Sequence, residues 1–244
     1  SDDAWLAYER VPLHAENKTT QVWLLPLSGG APHPAGDLDH ATSQPTWARS
    51  GWLAFYDRDQ RGYVLLEPIS GKQRLLPNET GEAACWEPAG RAFIMAEILF
   101  ESSSMLDDYA SSHLLRYDIP ASDEAGSPVL HDLTQDVTLE DTIPVYAPDG
   151  SQLAFARKYL DLTRWSPGRQ LWIMSPNGQQ VRQLTNDPLY NHYSFAWSVD
   201  GQQIAYMRFH QTILTLPPEL WVIQADGSNP VQLVIGGYAP QWVP

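Results

Sequence analysis

The sequence predicts an all-β protein: four-stranded antiparallel sheets arranged as the blades of a β-propeller. Three observations carry this. The first is the stretch from Ile143 to Thr185. It reads as four short strands in series, PVYA, QLAFAR, QLWIMS and VRQLT, with Pro-Asp-Gly and Pro-Asn-Gly turns between them. Asp-Gly and Asn-Gly tolerate the positive φ that tight hairpins need. A sheet this small cannot bury both faces alone, so it needs neighbours of its own kind. The second is that the neighbours exist. An aromatic, a Gly four residues on and an apolar strand recur at Trp47/Gly51/Leu53–Phe55, Trp86/Gly90/Phe93–Met95, Tyr146/Gly150/Leu153–Phe155 and Trp197/Gly201/Ile204–Tyr206. The third is where the repeat is cut. Trp242 lies two residues from the C-terminus, and its partner strand is found at Leu6–Tyr8. The ring is therefore expected to close through one blade shared by the N- and C-termini. Anchors spaced about forty to sixty residues apart give five blades, with six as the alternative, in one propeller domain over residues 1–244.

The elements follow in order. Residues 4–10 form the second strand of the shared blade, 11–20 a loop, QVWLLPL the third strand, and the stretch to Asp37 the outer strand. Blade two is compact: PTWA, WLAFYD, GYVLLEPI and QRLLP. Blade three is irregular. RAFIMAEI leads into the long segment LFESSSMLDDYASS, then HLLRYDI, then the polar insertion ASDEAGSP. Blade four is the Ile143–Thr185 stretch, with KYLDLTRWSPGR as its middle loop. Blade five is SFAWS, QIAYMR, the loop FHQTILTLPP, ELWVIQ and NPVQLVI. The strands read as apolar runs rather than alternating, as expected for blades covered on both faces. Pro45, Pro144 and Pro240 each sit two places before an anchor aromatic, entering an innermost strand where a missing donor does little harm.

Composition sets the boundaries of function. With 43% hydrophobic residues and ten Trp, the chain can bury a sizeable core. A formal charge of −14, from 15 basic and 29 acidic residues, argues against nucleic acid and anionic membranes, both of which select for Lys and Arg patches. The lone Cys85 can form no internal disulfide and reads as a small buried apolar residue beside Trp86. No Cys/His pair has zinc spacing and no contiguous calcium loop occurs, so no metal or cofactor is expected, the alternative being a cation held by inter-blade carboxylates at the tunnel mouth; no apolar run is long enough to span a membrane.

The repeats YAPDGSQLAFAR, WSVDGQQIAYMR and ELWVIQADGSNPVQLV resemble those of TolB-type propellers and of the propellers of prolyl-oligopeptidase-like enzymes. The resemblance spans the chain and is strongest from Ile143 to Pro244. TolB propellers usually have six blades, one more than the anchors here give. The resemblance implies a bacterial, extracytoplasmic protein, periplasmic or on the cell surface, with room for a leader or lipid anchor outside these residues.

Function must lie in the loops, since the fold does not fix it. Loops between second and third strands share a face with the loops between blades, and here they are long in four of five blades. They carry Phe100, Met105, Leu106, Tyr109, Tyr159, Trp165, Phe209 and Ile213; the inter-blade loops add Tyr190, His192, Tyr193 and Tyr238. Aromatic and Met enrichment on one surface suits a protein or peptide contact, and Trp165 and Tyr109 are the exposed candidates. Catalysis has less to stand on. There is no Gly-x-Ser-x-Gly elbow, and the candidate funnel carboxylates are Asp39, Glu82, Glu140, Asp141 and Asp187. Asp149-Gly150 and Asp200-Gly201 read as hairpin turns. The expectation is a non-enzymatic propeller that binds a protein or peptide. The alternatives are a funnel-sited, glycosidase-like hydrolase and a sensor propeller detached from a larger polypeptide.

Overall fold

The computed structural model describes residues 4–11, 19–101, 109–120 and 126–243, with the side chains of residues 100, 101, 109 and 110 outside that description. It contains strands and turns. No helix among the described residues is long and apolar enough to cross a membrane.

The chain divides into two compact units, Ser1–Gly81 with Ala89–Arg91, and Glu82–Pro88 with Ala92–Pro244. The first holds two sheets. β1 (Trp5–Arg10), β2 (Gln21–Pro26) and β3 (His33–Pro34) pair in sequence order. So do β4 (Thr42–Trp47), β5 (Leu53–Asp57), β6 (Gly62–Glu67) and β7 (Lys72–Pro77). Val22, Leu24, Leu53, Phe55 and Val64 pack into one core between these two sheets.

The second unit opens with β8 (Ala84–Trp86), β9 (Ala92–Glu101), β10 (Tyr109–Asp118) and β11 (Val129–Asp132). Next come β12 (Leu139–Tyr146), β13 (Leu153–Tyr159), β14 (Gln170–Met174) and β15 (Arg182–Gln183). These two groups join where Ser112 of β10 pairs in parallel with Glu140 of β12. The last sheet is β16 (Tyr190–Trp197), β17 (Gln203–His210), β18 (Glu219–Gln224) and β19 (Val231–Ile235). One core lies between the β8–β11 and β12–β15 groups, around Ile94, Leu114, Tyr146 and Phe155, with Cys85 against it. Burial pushes the Cys85 thiol up to about 12. A second core lies between the β12–β15 and β16–β19 groups, around Ile173, Phe195, Trp197 and Tyr206. β5, β6 and β13 are buried along most of their length, as the apolar runs predict.

The anchor aromatics have a physical reason. Trp197 Nε1 donates to the Val145 carbonyl at 3.1 Å, and Trp242 Nε1 to the Ala196 carbonyl at 3.0 Å. Each indole thus caps the carbonyl just before the preceding anchor. Strands β4, β12 and β16 share a second feature: each slips register, at Ser43/Thr46, Thr142/Val145 and Tyr193/Ala196. There Gln44, Ile143 and Ser194 take positive φ, and Ala239 does the same three residues before Trp242. This is a bulge copied with the repeat, and Pro45 and Pro144 occupy it, where the ladder is broken.

The first sheet has three strands, and residues 236–243 contain none, although Trp242 makes the anchor bond.

Candidate functional site

The second unit gathers three loops through backbone hydrogen bonds. Loop 160–169 joins β13 to β14, loop 184–189 joins β15 to β16, and loop 211–218 joins β17 to β18. Gly168 N donates to the Pro188 carbonyl at 3.0 Å, and Gln211 N to the Leu189 carbonyl at 2.8 Å. Arg169 N donates to Asn191 Oδ1 at 3.0 Å. The middle loop therefore ties the outer two together.

Within loop 160–169, Asp161 Oδ1 accepts from Thr163 Oγ1 at 2.6 Å and from the Arg164 amide at 3.1 Å, and Oδ2 accepts from Arg164 Nε at 2.8 Å. The Thr163 hydroxyl and then the Arg164 guanidinium hold the Asp161 carboxyl down to about 2. Arg164 lies 4.0 Å over the Tyr159 ring, which meets Trp172 edge-on at 6.2 Å. Trp165 stands beyond this stack, 56% exposed, and Leu162 is 99% exposed. A cavity of about 200 Å³ lies beside them, lined by Tyr159, Arg164, Trp165 and Trp172. On the neighbouring loops Leu189, Ile213, Leu214 and Leu216 are exposed.

Several expected loop residues lie in strands instead. Tyr159 ends β13 and Phe209, half-buried, lies in β17. Phe100 and Tyr109 belong to β9 and β10, because that hairpin extends beyond its apolar core; Met105 lies outside the described residues. Tyr190, His192 and Tyr193 belong to β16, which starts earlier than its apolar pattern suggests. Tyr193 is exposed, while Tyr190 packs edge-on against His210 at 5.1 Å with Arg208 4.1 Å from its ring. Tyr238 is exposed and outside any strand.

His192 is the clearest correction. It is fully buried, its Nδ1 lies 2.9 Å from the Arg169 carbonyl, its ring is 5.4 Å from that of Tyr206, and its Nε2 has no partner. Burial lowers its pKa to about 4, with nearby Arg208 acting in the same direction. It lies buried within β16, not on an exposed loop.

The carboxylates scatter. Asp39 is exposed in a turn and Asp187 accepts from Arg208 at 3.2 Å. Asp141 is fully buried in β12, where Arg157 grips both its oxygens at 2.6 Å and Thr134 donates to one at 2.8 Å. Burial pushes its carboxyl up, and Arg157 and Thr134 oppose that. Glu82 and Glu140 alone come together, lining a cavity of about 160 Å³ with Ile98, Ser111, Ser112, Thr142 and Arg169. Sequence reasoning missed Ser111 and Arg169 because neither belongs to a motif. It also missed a larger cavity of about 480 Å³ in the first unit, lined by Thr20, Ser43, Gln44, Tyr56 and Arg58 among others. Among the described residues no group of three or more His, Cys, Asp and Glu could hold a metal ion.

No family model and no curated protein matches the sequence. Solved structures do match. An oligogalacturonate lyase in complex with manganese aligns with TM-score 0.65 at 16% identity, over 95% of this chain and 62% of the lyase. TolB from Acinetobacter baumannii aligns with TM-score 0.60 at 14% identity, over 98% of this chain and 54% of TolB. The fold is a TolB-like propeller fold. A prolyl endopeptidase aligns with TM-score 0.63 at 11% identity, over 95% of this chain and 35% of the endopeptidase. This chain thus spans less than two thirds of each, and at these identities the likeness is one of fold. The neighbours include enzymes, so the fold leaves the activity open.

Proposed function

We propose that this chain is a binding propeller that recognises a protein or peptide through loops 160–169, 184–189 and 211–218. The observation that carries the reading is the set of apolar side chains these tied loops hold in water: Leu162, Trp165, Leu189, Ile213, Leu214 and Leu216. Isolated exposed leucines need no explanation, but six apolar side chains on loops bonded to one another suit an interface. Trp165 is the rigid aromatic anchor such a surface needs. Loop 160–169 is preorganised by the Asp161 network, which lowers the ordering cost of binding. The finer architecture belongs to the same reading: five blades in one domain, the first completed by the segment around Trp242. The anchor bond of Trp242 supports it. The resemblance to TolB repeats supports an extracytoplasmic location. The hydrolase alternative would rest on Glu82 and Glu140, yet Glu140 is ion-paired to both Lys158 and Arg169, which leaves it poorly placed to transfer a proton.

A displayed random-peptide library tests the reading. Wild type selects a convergent apolar motif, and the folded variant Leu162→Asp/Trp165→Asp/Leu214→Asp does not. Equal selection by both places recognition elsewhere.

A further inference from the structure

Given a binding face on loops 160–169, 184–189 and 211–218, the cavity beside Trp165 decides which side chain anchors the peptide, so the assignment rests on that reading. Three of its walls are rings: Tyr159, Trp165 and Trp172. Tyr159 ends β13 and Trp172 lies in β14, so the sheet fixes two of them, edge-on to one another at 6.2 Å. Trp165 comes from the loop and stays 56% exposed. Arg164 forms a fourth side. Asp161 holds its guanidinium, accepting from Nε at 2.8 Å. The same guanidinium lies 4.0 Å over the Tyr159 ring, yet the side chain is 52% exposed. Tyr159 thus covers one face of a fixed planar cation and leaves the other to a second ring.

Charge narrows the occupant. Arg157, Lys158 and Arg164 line the cavity, and among the described residues no carboxylate does. A Lys or Arg side chain would meet only its own sign there. An acidic side chain gains little, because each cation already has a carboxylate of its own. Arg157 has the buried Asp141 at 2.6 Å, Lys158 has Glu140 at 3.4 Å, and Arg164 has Asp161 at 2.7 Å. An uncharged group is left, and the negative face of an aromatic ring is the one that both a cation and ring walls favour. Size agrees. The cavity holds about 200 Å³, against roughly 150 Å³ for a cavity that takes benzene, so one six-membered ring fits.

We propose that this cavity takes the ring of a Phe or Tyr side chain on the bound peptide, stacked on Arg164 and walled by Trp165.

NMR titration of the whole chain tests this through the Trp165 indole signal, assigned from Trp165→Phe. The probes are N-acetyl-L-phenylalaninamide and N-acetyl-L-tyrosinamide, against the corresponding leucine, lysine and aspartate amides. The two aromatic amides should shift the signal saturably with a roughly millimolar Kd, ordinary for ligands of this size. The other three should bind at least tenfold more weakly. Arg164→Lys keeps the charge and loses the planar face, so it should weaken the aromatic amides roughly threefold. Asn186→Trp puts a bulky group on an exposed lining residue outside any strand and should block them. An unchanged thermal midpoint in both variants separates lost binding from lost folding. No saturable shift, a leucine amide that binds as tightly, or an Arg164→Lys variant that binds as wild type does overturns the assignment. The probes are too small to span the loops, so the two readings fail separately. A convergent library motif without Phe or Tyr keeps the surface and overturns the ring assignment. Ring binding without any selected motif upholds the cavity and overturns the surface.

Discussion

His192 makes the protein acid-sensitive by an amount that can be worked out. The ring is fully buried in β16, its Nδ1 engaged with the Arg169 carbonyl and its Nε2 facing no acceptor. A proton added at Nε2 would therefore be a buried charge without a partner. In the unfolded chain the same imidazole titrates at its ordinary 6.5; in the fold it titrates at about 4. Between those values the unfolded state binds the proton and the folded state does not, so stability falls as the pH drops through that window. Each pH unit is worth ~1.36 kcal/mol, so the loss attributable to His192 between pH 7 and pH 5 is roughly 2 kcal/mol. Urea unfolding of wild type and His192→Gln at both pH values isolates it, because the other titrating groups are common to both proteins. Wild type should lose about 2 kcal/mol more than the variant. An identical loss in the two would refute the reasoning and mean that water or a rearranged strand reaches Nε2.

Three further outcomes follow from the geometry. Arg157→Met leaves Asp141 buried without its bidentate partner and should cost about 3–5 kcal/mol; chemical denaturation reads it. Gly168→Ala would bring a Cβ to 2.1 Å from the Tyr190 carbonyl oxygen, so it should destabilise by about 1–3 kcal/mol, and it should raise hydrogen exchange at the Gly168 and Gln211 amides that tie the loops. Ala239→Gly relieves a non-glycine residue held at positive φ in an exposed position. It should stabilise by about 0.5–1 kcal/mol after the entropy lost to glycine is deducted, visible as a higher thermal midpoint.

The fold was legible because its signals are local and repeated. The Asp-Gly turns, the apolar runs and the aromatic anchors each act within one blade, and β4–β7, β12–β15 and β16–β19 stand where they indicate. Strand ends were less legible. β9, β10 and β16 run on into polar sequence, since pairing with a neighbour, not apolar content, keeps Phe100, Tyr109 and Tyr190 extended. His192 was misplaced for that reason. The site was half legible. An aromatic in a long loop marks Trp165 as a contact candidate, and it is exposed. Nothing in the order of residues marks Ser111 or Arg169, because they meet Glu82 and Glu140 only through the pairing of β10 with β12.

Cys85 is the sole thiol of the chain, held against the core around Tyr146 and Phe155. Burial pushes the thiol up to about 12, while its side chain is only partly buried, so a disulfide reagent added to the native protein reacts with it slowly. Labelling faster than that native baseline records moments when β8 has come away from its neighbours. The protein carries its own clock for such excursions, readable by mass with no mutation introduced. The rate at which that clock runs reports how often the second unit opens along its first strand.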